Sequence, residues 1–304
     1  MNTLVSLIKR NILIYLRDRT AVFFSLLSMI IVIGLMILFL GNMNKNEVVN
    51  LLGQYGSQRD ADLDAKNAEV LIQVWTIAGL LVVNALTVSL TMIGTKVEDE
   101  AKGRLASFYV APIRRSSMAG GYVVAAMLVA SFICFITLGI SQLYLFFMGS
   151  SLFTGVQLVK IAGIILANSF TYTSLLFLVA LFVHSTSAWA ALETIMGTLV
   201  GFVGAIYLPM GMLPDSVQSV LKCLPILHGI SLMRKVCTEF ALENTFSGLP
   251  GELSKGYQSY MGITVEYKDE LVSSGFSLIF LLMCGIIALI LSSILMKRRA
   301  LKER

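Results

Sequence analysis

Long charge-free blocks alternate with short charged segments along this chain, and the blocks have the length that a bilayer requires. A helix crossing the hydrocarbon core needs about 20 mostly apolar residues. Residues 21–40 carry no charged side chain, and neither do residues 70–95. The next charge-free stretch, Ser116–Val159, is too long for one crossing, and Gly149, Ser150 and Ser151 supply a turn within it. The pattern predicts spans over 21–40, 70–95, 117–148, 160–183, 188–207 and 276–296, with His184–Ser187 as the polar break before the fifth. Ahead of them, residues 1–20 read as an amphipathic helix. Leu4, Leu7, Ile8, Ile12 and Tyr15 recur at helical spacing, with Lys9, Arg10, Arg17 and Asp18 on the other side. Such a helix suits a membrane interface.

Composition strengthens this reading. Of 304 residues, 57% are hydrophobic and 13% charged, against about 25% charged in soluble domains. The expected fold class is an all-α membrane protein with six transmembrane helices. The first apolar run is too long for a signal-peptide core and lacks a small-residue cleavage site, so it is expected to remain as a span.

The net charge of +5 does not point to nucleic acid, because its distribution follows the spans. With both termini inside, the inner segments hold 14 Lys and Arg against 5 acidic residues, and the outer segments 9 against 12. Basic residues concentrate on the cytoplasmic side of membrane proteins, so both termini are expected in the cytoplasm and the chain in the cell membrane. Trp75 and Trp189 lie near span ends, where indoles favour the interface. Cys134 and Cys284 sit in apolar runs as small hydrophobes. Cys223 and Cys237 share one connecting region and could pair if it faces an oxidising side.

Two connecting segments carry candidate chemistry. Between spans two and three lies KVEDEAKGRLASFYVAPIRR, Lys96–Arg115. Val97, Ala101, Leu105 and Phe108 share one helical face, with Glu98, Asp99, Lys102 and Arg104 around the rest. Pro112 cannot continue a helix without losing a hydrogen bond. A short amphipathic helix over 97–111 is expected, offering a charged face to the cytosol. Its order of acidic cluster, Gly, Leu, Pro, basic residues and Gly resembles the membrane subunits of ABC-2 type exporters. Glu98, Glu100, Gly103, Leu105, Pro112, Arg114, Arg115 and Gly121 carry that resemblance. It departs from the commoner pattern: Arg104 stands where many members have Thr, and the acid-to-Gly spacing is shifted. The resemblance implies a coupling helix docking on a separate ATP-hydrolysing subunit, and a second copy or related permease completing a dimer.

The second segment, Leu208–Arg234, contains Pro209, Pro214 and Pro225. Asp215 and Gln218 have capping-box spacing at a helix start. Val217, Val220, Leu221 and Leu224 form an apolar face that Pro225 ends, and a second short helix is expected over His228–Arg234. Neither is long enough to span, and broken helices persist at membrane depth only under protein or beside water. The element resembles the re-entrant outer helices of the same family, which implies that residues 209–234 seal the outer end of a pathway. Residues 235–272 are expected to form an extracellular loop.

Glu193 is the one charge in the interior of an expected span, Lys160 standing at the outer edge of the fourth, which marks Glu193 for a role in transport or coupling, or for a pairing near headgroup water. His184 and His228 fall on opposite sides, so neither a histidine metal site nor a Ser–His pair is expected. Gln73, Asn84, Asn168, Thr171 and Thr173 need partners in lipid, between helices or along a substrate path. No phosphate-binding G-x-x-x-x-G-K-[ST] loop occurs, so ATP and Mg would be bound by the partner subunit and the chain itself would be neither enzyme nor cofactor carrier. The family resemblance implies a permease that moves an amphipathic drug or lipid-like substrate outward, as in antibiotic resistance. An ion-gradient transporter is the alternative reading, and an intramembrane enzyme a weaker one.

Overall fold

A computed structural model describes residues 3–35, 41–54, 60–105, 115–203, 209–267 and 270–302. The chain is almost wholly helical. Helix α1 covers Thr3–Arg17, α2 Arg19–Leu35, α3 Gly41–Gly53 and α4 Ala61–Ala101. Helix α5 follows at Arg115–Phe147, α6 at Gly155–Ala180 and α7 at Thr186–Val203. A 3-10 turn, Met210–Met212, leads to α8 (Asp215–Lys222), α9 (Pro225–Thr245) and α10 (Gly251–Tyr260). A two-residue hairpin pairs Glu266 with Leu271 and Tyr267 with Glu270 ahead of α11 (Ser274–Lys302).

Among the described residues, four helices are long and apolar enough to cross a membrane, or five if the bent pair α8–α9 counts as one span. The four are Ala61–Ala101, Ser116–Phe147, Gly155–Ala180 and Ser274–Lys297. The expected spans 21–40 and 188–207 coincide with α2 and α7, and both run on into residues that lie outside the described ones.

Helix α4 is the axis of the bundle. Its 41 residues reach about 60 Å at 1.5 Å per residue, twice the hydrocarbon thickness. Most of its apolar window is buried (78%), whereas that of α11 is only 22% buried. Helices α5, α6, α7 and α9 all pack against α4, and α11 packs on α6 and α9 with its outer face bare. Lipid is the natural solvent for that bare face, where Ile279, Ile287 and Ile290 are exposed.

Several expectations change in the structure. Helix α4 continues through Ala101, so Val97 does not open a separate coupling helix. The run from Thr91 to Ala101 has no proline, and its one glycine, Gly94, is held against Trp189 of α7, so the helix propagates past the span end. Asp215 is the first residue of α8 rather than its cap: Pro214 takes the capping position and gives no side-chain hydrogen bond. Gln218 instead donates through Nε2 to the Leu213 carbonyl at 2.8 Å. The short helix expected over His228–Arg234 is the 21-residue α9. Proline is tolerated in the first turn of a helix, so Pro225 starts α9. The expected loop 235–272 holds the rest of α9, α10 and the hairpin. Cys223 and Cys237 are both free, Cys223 exposed and Cys237 buried. Neither tryptophan lies at a surface: Trp75 is 1% and Trp189 4% exposed.

Candidate functional site

The charged end of α4 is built around a residue that sequence patterning passed over. Asp99 is 1% exposed. Arg10 of α1 meets its carboxylate at 2.8 Å, Arg104 from the following turn at 3.3 Å, and the Tyr122 hydroxyl of α5 donates to it at 2.7 Å. Asn11 adds a hydrogen bond to the Gly121 carbonyl at 3.1 Å. A buried carboxylate persists only when paired and hydrogen-bonded, and Asp99 is both. Burial works against the Arg10 charge, but the Asp99 hydrogen bond and charge outweigh it and hold the guanidinium above its ordinary value. The signal for Asp99 was present: Met92, Lys96 and Asp99 continue at four and three the face that α4 buries.

The opposite side of the same end ties in the turn between α6 and α7. Lys96, 4% exposed, donates to the Ala180 carbonyl at 2.7 Å and forms an ion pair with Glu100. A cation there also favours the negative end of α6. His184 Nδ1 lies 2.9 Å from Glu100. Burial raises the Glu100 carboxyl, but Lys96 and His184 together hold it below its ordinary range.

The residues expected to couple therefore separate. Glu98 and Lys102 form an exposed ion pair one helical turn apart. Glu100 faces inward to Lys96. Gly103 takes a left-handed φ of +69° in the turn after α4, a conformation that glycine adopts without strain. Leu105 is buried at 2%. Ala101, expected on the apolar face, is exposed. Pro112 and Arg114 lie outside the described residues, as do Phe108 and the rest of 106–114.

Beside this end, α1, α4 and α7 enclose a cavity of about 460 Å³ that Asp18, Glu98, Lys102, Trp189 and Glu193 line. Glu193 is not isolated there, since the Trp189 indole donates to it at 3.0 Å.

The proline-rich segment turns sharply. Pro209 precedes the 3-10 turn, Pro214 precedes α8, and Pro225 opens α9 at 88° to α8. His228 closes the bend, with Nε2 3.0 Å from the Lys222 carbonyl and Nδ1 3.2 Å from Ser277 of α11. A carbonyl can only accept, so Nε2 carries the proton and Nδ1 accepts from the serine hydroxyl. Further along α9, Arg234 is 0% exposed. Its guanidinium lies 4.1 Å from the Trp75 ring and donates to the Met261 carbonyl at 3.1 Å. The Trp75 indole donates to the same carbonyl at 3.0 Å, and Ser231 donates to the Ile263 carbonyl at 2.7 Å. One turn of chain after α10 is thereby fastened to α4 and α9.

The intramembrane polar groups divide. Asn84 donates to Thr137 at 3.0 Å and Thr171 to the Leu281 carbonyl at 2.9 Å, each joining two helices. Gln73 accepts from Ser150 at 2.7 Å. Thr173 bonds back within its own helix at 2.7 Å. Asn168 has no partner among the described residues. Its Oδ1 lies 2.0 Å from where a Cβ on Gly229 would stand, so α6 and α9 meet at a contact that only glycine permits. Among the described residues no group of His, Cys, Asp and Glu could hold a metal ion.

A family model described as ABC-2 type transporter matches residues 2–238. A search of the curated proteins returns no match.

Proposed function

From the premise that the chain belongs to the ABC-2 type transporter family, and is therefore a multi-pass membrane permease of an ABC transporter, we propose that it carries substrate outward with energy from a separate ATPase docked at the charged end of α4. The observation that supports this most directly is the double fastening of that end. Asp99 ties it to α1 and α5, while Lys96 and Glu100 tie it to the α6–α7 turn. A push there reaches five helices through polar contacts with two discrete arrangements, made or broken. Glu98 and Lys102, exposed beside Arg104, are the groups placed to meet the ATPase. ATP and Mg stay with that subunit, and this chain does no hydrolysis.

The rest of the reading follows from six crossings, the first and fifth along α2 and α7. Both termini lie in the cytoplasm, and the chain resides in the cell membrane. The bent pair after Pro209, Pro214 and Pro225 is re-entrant and closes the outer end. A second copy or related permease completes the pathway. Helix α7 supports this, because Ala190, Ala191, Thr194 and Thr198 leave a small, hydroxyl-bearing face exposed, and such faces serve helix–helix contact in lipid. The substrate class is an amphipathic drug or lipid.

The test is co-purification of the chain with its ATPase, followed by ATP hydrolysis in proteoliposomes. Charge reversal at Glu98 and Lys102 together should abolish substrate-stimulated hydrolysis while leaving the permease folded. Undiminished stimulation, or transport that persists on an ion gradient after ATP depletion, would overturn the proposal.

A further inference from the structure

Helix α6 meets a glycine on each of two faces, and the two contacts are built differently. On one face Gly285 of α11 packs against the Phe170 ring and the Thr171 backbone. The Thr171 hydroxyl there donates to the Leu281 carbonyl at 2.9 Å, so the polar group at that contact is paired. On the other face Gly229 of α9 packs against Asn168 and Tyr172, which stand one turn apart and share a side of α6. Asn168 Oδ1 fills the place of a Gly229 Cβ, and the Tyr172 hydroxyl lies 2.7 Å from that place. Asn168 is 0% and Tyr172 2% exposed. Among the described residues, neither polar atom of the Asn168 amide nor the Tyr172 hydroxyl has a hydrogen-bond partner.

Sealed polar atoms without partners weaken the arrangement that seals them, because each has given up water and gained nothing. Packing is what holds the contact: a glycine lets two helices approach closely, which favours association in lipid. The contact also sits at a mechanical junction. Gly229 lies one turn after Pro225, where α9 leaves its 88° bend with α8. Its neighbour His228 bonds Ser277 of α11, and Arg234 further along packs on Trp75 of α4. Helix α9 is thereby kept in the bundle, and the motion left to it is a small shear against α6. Admitting water between the two helices would satisfy the amide and the hydroxyl together.

We propose that the contact of Asn168 and Tyr172 with Gly229 is the release point of the outer element. With the outer end closed, α9 rests on α6 and the polar atoms are sealed. With it open, α9 shears off and water reaches them. Gly229 thus permits closing, and the polar pair on α6 favours opening. The Gly285 contact, with Thr171 paired, stays shut in both arrangements. The inference rests on the reading that residues 209–234 close the outer end.

Two measurements test it, the first on the chain alone in detergent. Tyr172→Phe and Asn168→Leu each remove polar atoms that bond nothing in the closed arrangement, so each should raise the unfolding temperature by about 2 °C. No rise in either variant would overturn the proposal. The second reads water access in proteoliposomes with the ATPase bound. Asn168→Cys is placed in a chain whose native cysteines, Cys134, Cys223, Cys237 and Cys284, all free, are replaced by Ala. Its reaction with Ag+, scored as protection from maleimide after denaturation, should speed up about tenfold when ATP and vanadate trap the complex. Thr171→Cys in the same background should stay unreactive throughout. Equal rates with and without trapping, or an equal rise at Thr171→Cys, would overturn the proposal. If no ATPase binds, the export reading fails instead, and the unfolding temperatures still decide whether the sealed pair opposes the closed contact.

Discussion

Asp99 and Arg234 are both buried charges that organise one end of α4, yet they are held in different ways. Asp99 meets two arginines and a phenol, and both arginines are partly in water, at 29% and 49% side-chain exposure. Arg234 is 0% exposed and is held by backbone carbonyls and an indole face. The first arrangement is ionic and reaches solvent, so salt, pH and a docking surface can act on it. The second is sealed, and the carbonyl and indole that hold it do not titrate. A permease that must move at one end and hold its shape at the other would place its charges in this way.

The comparison breaks most sharply at Arg234. Arg234→Ala removes a fully buried side chain, its cation–π contact and its hydrogen bonds, and should cost about 4 kcal/mol. Denaturant titration in detergent checks this, and the loss should barely change with ionic strength. Asp99→Ala leaves Arg10 and Arg104 without their shared carboxylate and should cost about 3 kcal/mol, less than Arg234→Ala because both guanidinium groups can rehydrate. Here added salt should narrow the gap between wild type and variant.

A smaller effect separates the two sides of the α4 end. Glu100 is held below its ordinary value of 4.5. A carboxylate depressed in the folded state contributes stability that is fully present above the ordinary value and lost as pH falls through the depressed one. Wild type should therefore lose unfolding temperature below about pH 4.5 more steeply than Glu100→Gln does. The difference should be about 1 kcal/mol at most, since the side chain is 25% exposed and partly screened. The smallest change in stability is expected for Glu98→Gln. Its exposed pair with Lys102 contributes about 0.5 kcal/mol or less, so any larger loss of ATPase stimulation would report docking rather than folding.

Much of the bundle was legible in the periodicity of the chain. Charge-free runs of about 20 residues have few stable alternatives to a membrane helix: α4 and α11 contain the expected spans 70–95 and 276–296, and α5 and α6 cover all but the last residues of 117–148 and 160–183. Pro225 marked the end of α8 because it cannot donate to a preceding turn, whereas the start of α9 was read three residues late, at His228. Helix length was less legible. Val97–Ala101 reads equally well as a new helix or as the end of an old one, and only the buried partners of Lys96 and Asp99 favour the second. The candidate site was half legible. Glu98, Glu100 and Asp99 are one acidic run in the sequence, and successive helical residues point about 100° apart. Which one faces water depends on where α1, α5 and α6 stand.

The sequence by itself determined that this protein lives in lipid, since 13% charged residues cannot clothe so much apolar surface in water. It also determined its family, through the order of charged loop, spans and proline element. Only the tertiary structure decided which charges are structural and which are free. Asp99 draws its partners from residues 10, 104 and 122, and Arg234 from 75 and 261. Among the described residues the Tyr257 hydroxyl ends without a hydrogen-bond partner for the same reason, because burial and pairing are properties of distant segments meeting, and no local pattern records them.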